Sequence, residues 1–327
     1  MSDLKRVLIV GGETHIGEIT ALAGRRLDIV GYAVRQDQIE TVQREFGGAV
    51  SADYRALLDR TSPDIVAVAN ENDRKAEVCL EALRRGMHVI VDKPMALTVQ
   101  EVHALRRAAQ EAGRHVLMLL TLRGHPAYRK VREIVRSGEI GEPVQVYQKM
   151  SVELRWGKRP PWFFDRRRSG GPILDLAIHG VDQFEWVTGL RLMDVTAQES
   201  NRSRPEERYL TDSGAMFFRL ENGGTAFIEH NRLLPEGQGS DYRLRVVGTR
   251  GQVDIRTKHY LWVQTAAGRR DLDLATLGPA VSVVEDWLDA LASGAEPLVP
   301  DEASFRANEI CCLAVRAAEQ GITLRLP

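Results

Sequence analysis

Asp175, His179 and Asp182 set three ionisable side chains into the otherwise apolar run GGPILDLAIHGVD at residues 170–182. Spacings of four and three residues stack such side chains on one face of an α-helix. Ile173, Leu174, Leu176, Ile178 and Val181 imply that much of this helix is buried, and buried ionisable groups have to be paired or employed. Imidazole exchanges its proton closest to neutral pH, so His179 is a candidate proton-transfer group, with Asp175 holding it or a substrate hydroxyl. The same residues also suit a structural role. Pro172 fits a first helical turn, where Asp175 would simply complement the positive end of the helix.

A second chemical signal lies upstream, where Asp92-Lys93-Pro94 follows the apolar run 88–91. Short apolar runs at 7–10, 29–34, 65–69, 89–91 and 116–120 alternate with stretches of helical spacing such as 74–85 and 99–112. This alternation predicts an α/β fold with a doubly wound parallel (Rossmann) sheet over residues 1–121, and such sheets bind ligands beyond the carboxyl ends of their strands. Lys93 would stand at one of those ends, as a solvated charge or as a group aimed at a ligand.

The first strand runs into Gly11-Gly12-Glu13-Thr14-His15-Ile16-Gly17. Aligning Gly12 and Gly17 with the outer glycines of G-x-G-x-x-G puts Thr14 in the middle position, where a Cβ crowds the approach of a pyrophosphate. The threonine hydroxyl can instead donate to a phosphate oxygen, and a helix beginning near His15 would offer free N–H groups to the anion. The second strand ends in Ala33-Val34-Arg35, where NAD-binding folds carry an acid for the ribose hydroxyls. Arg35 supplies the charge that a 2′-phosphate wants, which favours NADP over NAD.

These motifs, in this order, resemble the family of glucose-fructose oxidoreductase, inositol dehydrogenase and rhizopine-catabolism proteins, Gfo/Idh/MocA. Its Glu-Lys-Pro motif is similar to Asp92-Lys93-Pro94, its Arg-x-x-Pro to Arg123-Gly124-His125-Pro126, and its Gly-Gly-x-x-x-Asp-x-x-x-His to residues 170–179. The resemblance implies that Lys93, Asp175 and His179 line a substrate pocket beside the nicotinamide. It also implies that Asn70, Asn72 and Asp92 join Gly11, Gly12, Thr14, His15, Ile16, Gly17 and Arg35 around the dinucleotide, and that Arg123 faces substrate. Where the family often reads Thr-Pro-Asn-x-x-His, this chain reads Asn70-Glu71-Asn72-Asp73-Arg74-Lys75. That change alters the floor near the nicotinamide.

A chain of 327 residues exceeds the size at which one core stops growing, so two domains are expected. Beyond residue 121 the pattern changes to period-two runs at 144–150, 192–199, 214–220, 225–231, 242–247, 252–256 and 261–265, separated by glycine-rich turns. Residues 122–327 thus form an α+β domain on a large, mostly antiparallel sheet. One sheet face would carry helices and the other would pair subunits, giving a homodimer or homotetramer. The segment 155–168, rich in aromatics and arginines, leads into the Asp175 helix. It reads as a lid in which Trp162 stacks on a sugar face and Arg166 clamps an anion.

A net charge of -1 leaves no electrostatic footprint for nucleic acid. No run is long enough to span a membrane and no signal peptide is evident, so a cytoplasmic protein is expected. Three cysteines and eight histidines show neither disulfide nor metal-ligand spacing, and no metal is expected.

The reaction these residues suggest is reversible hydride transfer between NADP or NAD and a carbinol carbon of a sugar, sugar acid or cyclitol. His179 would act as base, Lys93 would stabilise the alkoxide, and Asp175 would orient His179 or a neighbouring hydroxyl. Two other readings use the same residues: a lyase or glycosidase that oxidises its sugar only transiently, and a non-catalytic sensor of dinucleotide or sugar.

Overall fold

A computed structural model describes residues 4–12 and 15–327. Thr14 therefore lies outside the described residues. The chain divides into two compact units, residues 1–119 with 282–305 and residues 120–281 with 306–327.

In the first unit β1 (Lys5–Val10), β2 (Leu27–Ala33), β3 (Ala49–Ser51), β4 (Ile65–Val68), β5 (His88–Val91) and β6 (Val116–Met118) form a wholly parallel sheet in the order β3-β2-β1-β4-β5-β6. The apolar runs that predicted strands are buried on both faces, with Val7, Leu8, Ile9, Ile65 and Val66 fully inaccessible. Such continuous burial is what helices on both sides of a parallel sheet require. Strand β3, a short edge strand, has no matching run in the sequence pattern. The strand order reverses between β1 and β4, and the crevice at their carboxyl ends is where this architecture receives ligands.

The expected boundary after residue 121 needs correction, because the segment 282–305 returns to the first unit. Its helix Val283–Ser293 is tied there by Arg26 to Asp289 at 2.5 Å and by Ser282 Oγ to Glu18 at 3.1 Å. Ser304 Oγ accepts from the backbone N–H of Met118 on β6. These ties span well over a hundred residues, and nothing in local composition marks them.

The second unit is built on β7 (Pro143–Glu153), β8 (Leu192–Ser200), β9 (Ser213–Leu220), β10 (Thr225–Leu234), β11 (Ser240–Gly248), β12 (Gly251–Arg256), β13 (Tyr260–Thr265), β14 (Gly268–Leu272) and β15 (Leu324–Arg325). Their order is β14-β13-β12-β11-β7-β10-β9-β8-β15, antiparallel except where β7 meets β10. Inward residues such as Met216, Phe218, Ala226, Ile228, Leu244 and Val246 are buried at alternate positions beneath the helices, as the period-two pattern dictates. No described helix is long and apolar enough to cross a membrane.

Candidate functional site

In the first unit a cavity of about 600 Å³ opens at the carboxyl ends of β1, β2 and β4, lined by Gly11, Arg35, Asn70, Glu71 and Arg74 among others. Gly11 has a φ of +85°, and a Cβ there would fall 2.4 Å from the backbone nitrogen of Asn70. Only glycine permits β1 to leave the sheet so close to β4. Around Gly12 and Gly17 a Cβ would meet nothing within 4 Å. The Asn70 Oδ1 is buried without a hydrogen-bond partner among the described residues. An open glycine turn, an orphaned amide oxygen and a cavity of this size fit a dinucleotide.

Two expectations about this cradle change. The helix expected from His15 is a single turn, Gly17–Thr20, capped by Ile16 without a side-chain hydrogen bond. Gly24, at φ +70°, turns the chain back toward β2 almost at once, so little helix dipole remains for a pyrophosphate. Arg35 is not held out to solvent alone: its Nε and Nη2 each lie 3.0 Å from the carboxylate of Asp37.

Asp92 and Lys93 directly follow β5 and are both buried. Beneath them Lys75 is completely inaccessible, with Nζ donating to Asn72 Oδ1 at 2.9 Å and to the carbonyl oxygen of Lys93 at 3.4 Å, and lying 3.6 Å from Asp92 Oδ2. The other Asp92 oxygen meets His15 Nδ1 at 3.1 Å. Burial opposes ionisation of Asp92, but Lys75, His15 and Lys93 outweigh it and hold the carboxyl well below its usual range. The lysine in place of the family's histidine is thus a buried cation that props the Lys93 backbone. His15 and Asn72, expected at the dinucleotide, hold Asp92 and Lys75.

In the second unit Gly170 and Gly171, both at positive φ, lead into a π-helical turn, Ile173–Ala177, that continues as the α-helix Ile178–Thr188. π-Turns inside helices recur at functional sites. Asp175 and Asp182 are buried and His179 is half-buried. The two aspartates serve different arginines. Asp182 receives a fork from Arg123, with Nη2 at 2.6 Å and Nε at 3.0 Å. Burial raises the Asp182 carboxyl and Arg123 counters it only in part. Where the Arg-x-x-Pro motif implied a substrate contact, Arg123 instead closes on this helix. Asp175 pairs with Arg232 of β10.

Of the expected lid, Trp162 is buried edge-on against Phe163 at 5.8 Å, and Arg166 bonds Glu319 at 2.7 Å. Lys93 belongs to the first unit, and Asp175, His179, Trp162 and Arg166 belong to the second.

No motif marks Arg232 or Arg159. A signal for Arg232 exists, since it continues the inward parity of Ala226, Ile228 and His230, and a buried arginine at such a position demands a carboxylate. Arg159 carries no comparable mark.

Glu199 of β8 accepts the backbone N–H of Ile173 at the start of the π-helical turn, and burial pushes its carboxyl up to about 7. Its ordinary value is 4.5, so between these limits the folded state keeps a proton that the unfolded state releases. The contribution of Glu199 to stability is therefore greatest below about pH 4.5 and is lost as pH rises toward 7. Glu199→Gln is expected to remove up to about 3 kcal/mol of this slope. Urea melts of both proteins at pH 5 and 8 check it, and parallel behaviour would contradict a raised Glu199.

Residues 5–119 match the family described as "Oxidoreductase family, NAD-binding Rossmann fold", and residues 128–254 match the "GFO/IDH/MocA C-terminal domain". The chain is 23% identical over 326 residues to scyllo-inositol 2-dehydrogenase (NAD(+)) of Bacillus subtilis, covering 94% of this chain and 91% of that protein. It is 26% identical over 334 residues to inositol 2-dehydrogenase of Streptomyces avermitilis, covering 98% and 94%. The solved structure of an oxidoreductase domain protein from Kribbella flavida shares the fold with a TM-score of 0.85 at 21% identity, covering both chains completely. With both halves matched in order, the chain belongs to the Gfo/Idh/MocA family of NAD-binding Rossmann-fold oxidoreductases.

Proposed function

We propose that this protein is an NAD(P)-dependent dehydrogenase or reductase acting at a carbinol carbon of a sugar, sugar acid or cyclitol. The observation that carries this reading is the dinucleotide-sized cavity at the β1–β4 reversal, ringed by Gly11, Arg35 and Asn70. Relatives named as inositol dehydrogenases support the substrate class. When bound, the nicotinamide supplies the hydride acceptor or donor. His179 takes the hydroxyl proton, Lys93 stabilises the developing alkoxide, and Asp175, anchored by Arg232, orients His179 or an adjacent hydroxyl.

The test is absorbance at the reduced-nicotinamide band against a panel of sugars, aldonates, uronates and cyclitols. Saturable net reduction is expected. Product formation with flat absorbance would replace this reading with transient oxidation.

NADP is favoured over NAD because Arg35 lines the cavity. Its pair with Asp37 is solvent-exposed on both sides, and such pairs are held weakly enough for a 2′-phosphate to displace the carboxylate. NADPH is expected to bind at least about tenfold tighter than NADH. Arg35→Ala should erase the preference and Asp37→Ala should widen it, both read by fluorescence titration. Tighter NADH binding would give Asp37, through the ribose hydroxyls, the controlling role.

We further propose that the outer face of the nine-stranded sheet pairs two copies of the chain. Phe217 and Phe227 stand exposed on neighbouring strands, and Tyr147 stacks on Phe227 at 6.1 Å. Phe227→Glu is expected to reduce the mass seen by light scattering to that of a monomer. An unchanged oligomer would move the interface elsewhere.

A further inference from the structure

Around Phe163 the second unit gathers two guanidinium groups, one buried (Arg232) and one half-buried (Arg159), and only Arg232 is paired with a carboxylate. The guanidinium carbons of Arg159 and Arg232 lie 4.1 and 4.5 Å from the centre of the Phe163 ring. Arg232 is answered by Asp175. Arg159 makes no ion pair among the described residues, and its Nε is buried without a hydrogen-bond partner. The indole Nε1 of Trp162, whose ring packs edge-on against Phe163, is likewise a buried donor with no acceptor among the described residues.

Burial and then the charge of Arg232 bring the Arg159 guanidinium down to about 10, with Asp175 countering only partly. Glu199 does not pair with Arg159: burial keeps its carboxyl up at about 7, and the cation with the larger effect on it is Arg166. The buried Nε–H of a partly desolvated guanidinium and the buried indole N–H are both unfavourable until an acceptor joins them.

We propose that the substrate carries a carboxylate, as in a sugar acid, which Arg159 binds beside the Asp175–Arg232 pair while the Trp162 N–H offers a second donor. The position of this contact rests on the reading of Asp175 and His179 as substrate-facing. One uncompensated guanidinium matches a single negative charge, and its planar fork matches a carboxylate. A dianionic phosphate would leave surplus negative charge next to Asp175.

The test is titration calorimetry of the protein saturated with NADP+, using D-galacturonate, D-glucuronate and D-gluconate against D-galactose, D-glucose and D-glucitol, with D-glucose 6-phosphate alongside. At least one acid is expected to bind about tenfold or more tightly than its neutral counterpart. Arg159→Met keeps an apolar stem on Phe163 and should bring that ratio close to one, while Arg159→Lys, which keeps the charge without the fork, should retain part of it.

Equal binding of acids and neutral counterparts, no binding of any acid, a preference that survives in Arg159→Met, or tighter binding of the phosphate would each overturn the assignment. Binding is the readout, so acid-selective binding without nicotinamide reduction would reject the dehydrogenase reading and leave the carboxylate contact standing.

Discussion

His179→Asn is expected to lower turnover by about 10²–10⁴-fold, the range for loss of a positioned general base, while NADPH affinity stays near that of the unaltered protein. The split follows from placement. His179 sits in the second unit, on the helix that also carries Asp175, and the dinucleotide-sized cavity belongs to the first. Asparagine keeps size and hydrogen-bonding capacity but cannot accept a proton near neutral pH, so the measurement isolates proton transfer from packing. Turnover and fluorescence titration on one preparation decide the matter. Full turnover in the variant would remove His179 from the chemistry, and lost NADPH binding with lost turnover would make its role structural.

Lys75→Met carries the largest expected effect on stability. Lys75 has no exposed surface and lies 3.6 Å from Asp92, whose other polar contact is the largely exposed His15. Removing one partner of a buried ion pair leaves the other charge desolvated, which typically costs 3–5 kcal/mol. The Lys93 backbone also loses its 3.4 Å donor, so turnover should fall even at temperatures where the variant remains folded.

Combining Lys75→Met with Asp92→Asn should cost less than the sum of the single changes, because the second removes the stranded charge. Denaturant melts of the three variants measure this coupling. A Lys75→Met cost under about 1 kcal/mol would show that the cation contributes no more than an exposed pair. Additive costs would show that Lys75 and Asp92 do not interact.

Much of the architecture was legible because its signals are local. The apolar runs of the first unit and the alternating runs of the second mark strands through side-chain periodicity, which is set by backbone geometry and survives without tertiary information. Gly11 marked a turn for the same reason. The return of residues 282–305 to the first unit was not legible, because Arg26 with Asp289 and Met118 with Ser304 meet only after the chain has folded. The helix after Gly12 was over-read, since its pattern resembles a nucleotide-binding turn but Gly24 ends it within a few residues.

The candidate site divides along the same line. Sequence by itself determined which side chains are chemically capable: Lys93 at a strand end, and Asp175 and His179 one turn apart in an apolar helix. Spacing along one element follows from its geometry alone. Which partner each buried charge takes was decided only by tertiary structure. Asp182 goes to Arg123, Asp175 to Arg232 and Asp92 to Lys75, joining residues from separate elements. Motif spacing carries no information about such pairings, because burial makes the choice: a desolvated charge must find an opposite one wherever the fold supplies it. Arg159 stands apart, a half-buried cation that makes no ion pair among the described residues.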